Sequence, residues 1–395
     1  MTGGRTKVRG VSLIELMIAL LIGSLLLLGL VQIFSASRTS YQMSEGVARV
    51  QENARFAIDF LQRDIRMAGH FGCVNDQAHW VKGEGDPALH LGASLPLAHP
   101  LNFAVSVQGY EASGTAPGNS VQIGAAAGGW SPGLPTTISG LSPAAGSDII
   151  VLRFLGSRAV PVTAIAGSAG AETLTIPTST GIESLREEGV GEPDLFGVAD
   201  CSHADVFPGA AADGAVTVGA AVPDTELTGR YTAHPAGQTA VYRAHSIVYY
   251  VAPGASGEPA LWRAWANAAG AYPPGNREEL VEGVESLQLL FGRDEEPVLD
   301  SSSPPRGNIT VQGTAAAVVA GASTDAEVAN EWRRVGQVQI GLLARSPARA
   351  AAMAATEGAS PRVLGVVYTP AENNDARVRI AYETTVALRN RLFGN

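Results

Sequence analysis

The chain has 395 residues, with 27 Lys+Arg against 37 Asp+Glu and a formal charge of −10. Only 16% of residues are charged and 6% aromatic, which excludes a nucleic-acid binder built on a general basic surface. Two cysteines exclude a disulfide-dense scaffold and a zinc module of four thiolates, while 46% hydrophobic residues allow one large or two ordinary packed domains.

The mildly positive mean hydropathy is odd for an acidic chain, and its cause is local. Residues 11–34 read VSLIELMIALLIGSLLLLGLVQIF, with one charge, Glu15, and one amide, Gln32. As a helix at 1.5 Å per residue this run covers about 36 Å, enough to cross a hydrocarbon core of about 30 Å. Before it stand Arg5, Lys7 and Arg9 with no acid, an arrangement that keeps the N-terminus cytoplasmic and sends the remainder across. A secretory signal would have a shorter apolar region and a better cleavage site than Phe34-Ser35-Ala36-Ser37. A plain anchor leaves Glu15 unexplained, because a carboxylate inside a membrane helix normally has a partner and a function.

Gly10 followed by Val11-Ser12-Leu13-Ile14-Glu15-Leu16 resembles the class III signal of type IV prepilins and type II secretion pseudopilins. The resemblance implies removal of leader residues 1–10 by a prepilin peptidase and N-methylation of the new first residue. Val11 departs from the family's usual Phe. Once freed, the Val11 α-amine is a cation at the membrane edge, and Glu15 of a docked neighbour is its natural counter-ion. Cleavage removes three basic residues, so the mature chain carries 24 Lys+Arg against 37 Asp+Glu, a net −13.

Beyond the membrane run, Val47, Val50, Ala54, Ile58, Leu61, Ile65 and Ala68 form a stripe at helical spacing over about six turns. Arg55, Asp59 and Arg63 fall four apart on the wet side, and Gly69 and Gly72 close the run. Residues 11–34 therefore read as a transmembrane helix and 35–69 as an amphipathic stalk whose stripe buries against the head.

Cys73 and Cys201 form an even pair, which in an exported head favours a disulfide. His70-x-x-Cys73 with Cys201-x-His203 is the competing reading, since two thiols and two imidazoles make a zinc ligand set. The Arg66-Met67-Ala68-Gly69 stretch ending in Gly72-Cys73, with Cys201 ahead of Ala204-Asp205-Val206-Phe207, also resembles the PilW family of minor pilins. So do Leu280-Val281-Glu282-Gly283-Val284 and the ending Leu388-Arg389-Asn390-Arg391.

The head, residues 70–395, reads as β-rich. Residues 82–146 are Gly-, Ala- and Pro-rich and read as loops and short strands. Strands are expected at 149–155, 240–251 and 335–343, and at 378–388, with a strand–turn–strand through Pro253-Gly254 into Leu261-Trp262-Arg263. The segment 278–291 is expected to begin as a helical turn and end as a strand, where Leu287, Leu289 and Phe291 alternate.

Catalytic signatures are absent: no Gly-x-Ser-x-Gly elbow, no phosphate loop, no His-Glu-x-x-His. His70, His79, His90, His99, His203, His234 and His245 are scattered. Asp294-Glu295-Glu296 with Asp300 lacks the spacing of a calcium loop and reads as a solvated turn. Trp262 and Trp265 read as core, and Asn308-Ile309-Thr310 as a chance sequon.

The expected architecture is thus α+β: a long N-terminal α-helix packed on a large antiparallel β-rich head. The expected function is that of a minor pilin in pilus biogenesis, without enzymatic activity, cofactor or direct nucleic-acid contact. The expected partners are prepilin peptidase, other minor pilins, the major pilin and the inner membrane. A minor pseudopilin and an anchored periplasmic adhesin or enzyme are the alternatives. The expected location is a single pass through the inner membrane with the head periplasmic, and later the surface pilus.

Overall fold

The computed structural model describes residues 10–75, 88–92, 94–178, 181–186, 188, 191–219, 226–295, 307–346, 360–369 and 377–391. Leader residues 1–9, His79, Glu296 and Asp300 lie outside them. Everything begins from one helix, α1, Leu13–Met67, whose 55 residues extend about 80 Å. No proline interrupts it, and its two halves differ in composition and in what covers them. Over its first 22 positions the apolar side chains are bare; Leu13 is 81% and Phe34 70% exposed. In the second half Gly46, Val50, Ala54, Ala57, Leu61 and Ile65 are buried against the head. The seam follows the expected stripe, with Ala57 at its centre and Ile58 half-buried at its margin.

The head is a mixed α+β assembly of mostly antiparallel strands. Its principal strands are β1 (Val107–Ala112), β2 (Ile149–Leu155), β3 (Leu195–Ala199) and β4 (His203–Ala212), then β5 (Ala240–Pro253), β6 (Pro259–Trp265) and β7 (Arg277–Glu282). After these come β8 (Val284–Asp294), β9 (Ile309–Gly313), helix α2 (Asp325–Arg333), β10 (Val335–Arg345) and β11 (Arg379–Ala387). The first seven belong to one large upstream sheet; β9–β8–β10–β11 form a second, four-stranded sheet.

The 14-residue β5 is the spine of the upstream sheet. Its first residues pair with β3, while its later ones pair with β2 on one side and β6 on the other. Strand β2 explains why its sequence is a continuous apolar run rather than an alternation. Ile150, Leu152 and Phe154 face the core containing α1, and Ile149, Val151 and Leu155 face a second core, so both sides are covered. Arg153 is the polar exception. Buried at 1% exposure, it donates to the carbonyls of His99, Pro100 and Val105 and so fixes the preceding loop.

Two stretches differ from the sequence expectation or refine it. Residues 278–281 form no helical turn: they are strand β7, paired with β6 through Glu278↔Arg263 and Val281↔Leu261. Long-range pairing overrides the local helix preference of Glu278-Glu279-Leu280. Gly283, at φ +86°, then turns the chain from the upstream sheet into β8 of the second. Within the Gly/Ala/Pro-rich region, β1 is buried along its whole length and pairs with β2. Gly109 permits this, because a Cβ there would stand 2.4 Å from the Phe291 ring of the second sheet.

Candidate functional site

The helix start is organised by Ser12 and Glu15. Ser12 caps α1: its Oγ accepts from the Glu15 amide at 3.3 Å, and the Glu15 carboxylate accepts from the Ser12 amide at 3.0 Å. This reciprocal pair satisfies two orphan donors, and the helix dipole favours an acid in this first turn. Gly10 and Val11, flanking the expected cleavage point, are exposed. The Ser-x-x-Glu spacing was legible in the chain, but the sequence reading assigned Glu15 only to an intermolecular partner.

Asn53 and Gln62 of α1 donate to the Glu282 carbonyl and the Thr384 hydroxyl, and three further contacts tie its far end to the head. Cys73 and Cys201 form a disulfide across 128 residues, so both thiols are consumed and the zinc alternative is set aside. His70 packs edge-on to Tyr242 and His203 to Tyr231. Asn390, from the last described segment, donates its side-chain amide toward the carbonyls of Arg66, Met67 and Ala68 at 3.2–3.4 Å. Those carbonyls have no partner within the helix, so Asn390 is its C-terminal cap in space. Next to it, buried Arg391 donates to Ser106 Oγ and to the carbonyls of Trp332 and Val335.

The third contact is ionic. Asp64 points into the head from the buried face of α1, where it accepts from Tyr249 at 2.5 Å and from Arg263 at 3.0 Å. Arg263 also bonds Glu278 and lies over the Trp265 ring, 4.4 Å from its centroid. Burial, then the Asp64 charge, pushes the Tyr249 hydroxyl far above its ordinary value, so it remains a donor. Sequence reasoning missed Asp64: its one signal was a carboxylate adjacent to the apolar stripe.

Beside this cluster lies a cavity of about 590 Å³ between stalk and head, lined by Arg63 and Arg66 of α1, Glu188, His245, Arg263 and Trp265 among others. His245 is held neutral, its pKa pushed down to about 3 by burial first and then by Arg243, Arg263 and Arg63. Within the lining Ser157 Oγ donates to Glu188 Oε1 at 2.8 Å, and His245 Nε2 lies 4.0 Å from Glu188 Oε2. Among the described residues no group of three His, Cys, Asp or Glu side chains gathers to hold a metal. Asp294 instead accepts from the amides of Gly307 and Asn308. Trp265 is core, and Trp262 stacks on Tyr250.

Residues 248–390 match the family described as Type IV Pilus-assembly protein W, and residues 5–31 match the prokaryotic N-terminal methylation motif. No curated protein and no solved structure gives a match. The first match contains Tyr249, Arg263 and Asn390, the head's grip on the stalk. Both cysteines lie upstream of it.

Proposed function

We propose that this PilW-like type IV pilin is a minor subunit that primes pilus assembly or occupies the pilus tip. The carrying observation is the division of α1: one half sealed into the head, the other entirely bare and apolar, with Glu15 at its start. A bare apolar helix of this length needs a bilayer or neighbouring helices around it. In this reading prepilin peptidase cleaves between Gly10 and Val11, and the protein waits in the inner membrane with its head in the periplasm. On entering a filament, Glu15 exchanges its Ser12 contacts for the Val11 amine of a neighbouring pilin. Its partners are other minor pilins and the major pilin. The bulk of the head favours an end position, because it obstructs the close repeat of a shaft subunit. The role is structural, without catalysis or direct nucleic-acid binding.

N-terminal sequencing of the membrane-extracted protein tests the processing step; an N-terminus other than Val11 overturns it. Glu15→Ala tests assembly. Cells carrying it are expected to keep normal protein levels and lose surface pili, with reduced recovery of other minor pilins in pull-downs. Unchanged piliation would refute the pairing role. Match to the PilW family favours the pilus over a secretion pseudopilus.

A further inference from the structure

The cavity between stalk and head takes no part in the proposed function, and its walls divide by chemistry. The inner wall is apolar: Phe154 of β2, Ile247 of β5 and Trp265 of β6 are 5%, 2% and 5% exposed. Set beside them is one polar ring. His245 is 4% exposed, packs against Phe154 with centroids 5.2 Å apart, and leaves its Nδ1 without a hydrogen-bond partner. A buried polar atom left unbonded is costly, and a polar group entering the cavity offers it a partner.

The mouth is charged. Arg63 and Arg66, one turn apart on α1, stand exposed there with Asp59. Arg66 makes one long contact, 3.4 Å, with Gln62, and Arg63 forms no hydrogen bond or ion pair with a described residue. Deeper in, most of the acid is committed. Asp64 and Glu278 both hold Arg263, and Glu188 accepts from the Ser157 hydroxyl. Burial and the guanidiniums of Arg243, Arg263 and Arg63 keep the His245 ring neutral, even with Glu188 Oε2 4.0 Å from its Nε2. The cationic side of the balance thus prevails at the ring, despite the acids around it.

We propose that this cavity binds a small organic carboxylate, with its charged end between Arg63 and Arg66 and its apolar body on Phe154, Ile247 and Trp265. His245 Nδ1 then bonds a polar group of the ligand. A guanidinium presents paired N–H donors that match a carboxylate in shape as well as charge. An apolar wall with a few placed polar groups is the usual make-up of a ligand pocket. The volume of about 590 Å³ falls within the range of roughly 300–1,000 Å³ found for such sites. One negative charge suits it better than two, because Asp59 shares the mouth and Glu188 the interior. Such a carboxylate comes either as a free acid or as the carboxyl end of a peptide.

The test is calorimetric titration of the full-length chain, held in nanodiscs of zwitterionic lipid. The probes are N-acetyl-phenylalanine, its uncharged amide and inorganic phosphate. The acid is expected to bind at least about tenfold more tightly than either the amide or phosphate. Arg63→Ala is expected to weaken its binding about tenfold and Asp59→Asn to tighten it about threefold. The urea midpoint should stay unchanged in both variants, because neither side chain bonds a described residue. A tripeptide acid ending in phenylalanine identifies the source: binding as tight as the acetylated residue's assigns a peptide end, and weaker binding a free acid. Absence of binding by both acids, equal binding of the amide or of phosphate, or an affinity untouched by Arg63→Ala overturns the proposal.

Discussion

Asp64 shows how one side chain couples the stalk to the head. It stands on the buried face of α1 with 8% of its side chain exposed, between the Tyr249 hydroxyl and the Arg263 guanidinium. Removing one partner of such a pair leaves the other desolvated and uncompensated, a cost of about 3–5 kcal/mol when burial is complete. Arg263 keeps Glu278, so Asp64→Ala is expected to cost about 2 kcal/mol, with Asp64→Asn milder because it still accepts from Tyr249. Urea unfolding of the two variants distinguishes them; equal, negligible effects would count against the coupling. Asn390→Ala removes a single shared cap and is expected to cost about 1 kcal/mol, seen as faster hydrogen exchange at Met67–Gly69. Neither residue's role was legible in its neighbourhood. Asp64 reads only as a carboxylate beside the apolar stripe and Asn390 only as part of the PilW-like ending, because the partners lie 185 and more than 320 positions away.

At the scale of elements, α1 was the most readable part of the chain. Its signals are local: hydropathy over 11–34, helical spacing of the stripe, and glycines at the end. The strands 149–155, 240–251 and 335–343 were readable for the same reason, and so was the strand around 378–388. Strand β7 was misread because Glu278-Glu279-Leu280 favours a helix until β6 pairs with it. The disulfide is the element-scale clasp. On the chain-entropy account, closing a loop of 128 residues contributes about 4–5 kcal/mol, less any strain. Replacing both Cys73 and Cys201 with Ser is expected to lower the urea midpoint strongly, whereas reductant should shift the wild type only. An unchanged midpoint in the double variant would show that Asn390 and Asp64 suffice.

For the whole molecule, the head's contact with α1 begins at Gly46, so the preceding helix adds nothing to the folded core. A chain starting at residue 35 is therefore expected to be soluble and monomeric by size-exclusion chromatography, with the head's melting transition retained. Aggregation of that truncated chain would mean that another apolar surface is exposed. The two sheets meet through the α1 core, through Phe291 packed over Gly109, and through the Asp148 amide bonds. Together these contacts join the two sheets into one head.

Short-range pattern sufficed for the long N-terminal apolar helix, the prepilin-like start and the β character of the head. Each depends on residues within a few turns or one strand of each other. The pairing of Cys73 with Cys201 was favoured by the count of two and the expected export of the head, and the structure decided it against the zinc alternative. Tertiary structure alone decided which strands share a sheet, why Gly283 passes the chain between sheets, and which side chains cap and grip α1. It also placed the Asp148 carboxyl between the Ala112 and Leu289 amides, where the two sheets meet. Those outcomes rest on contacts between segments a hundred or more residues apart in several cases. Propensity and spacing carry no information about them until the backbone brings the segments together.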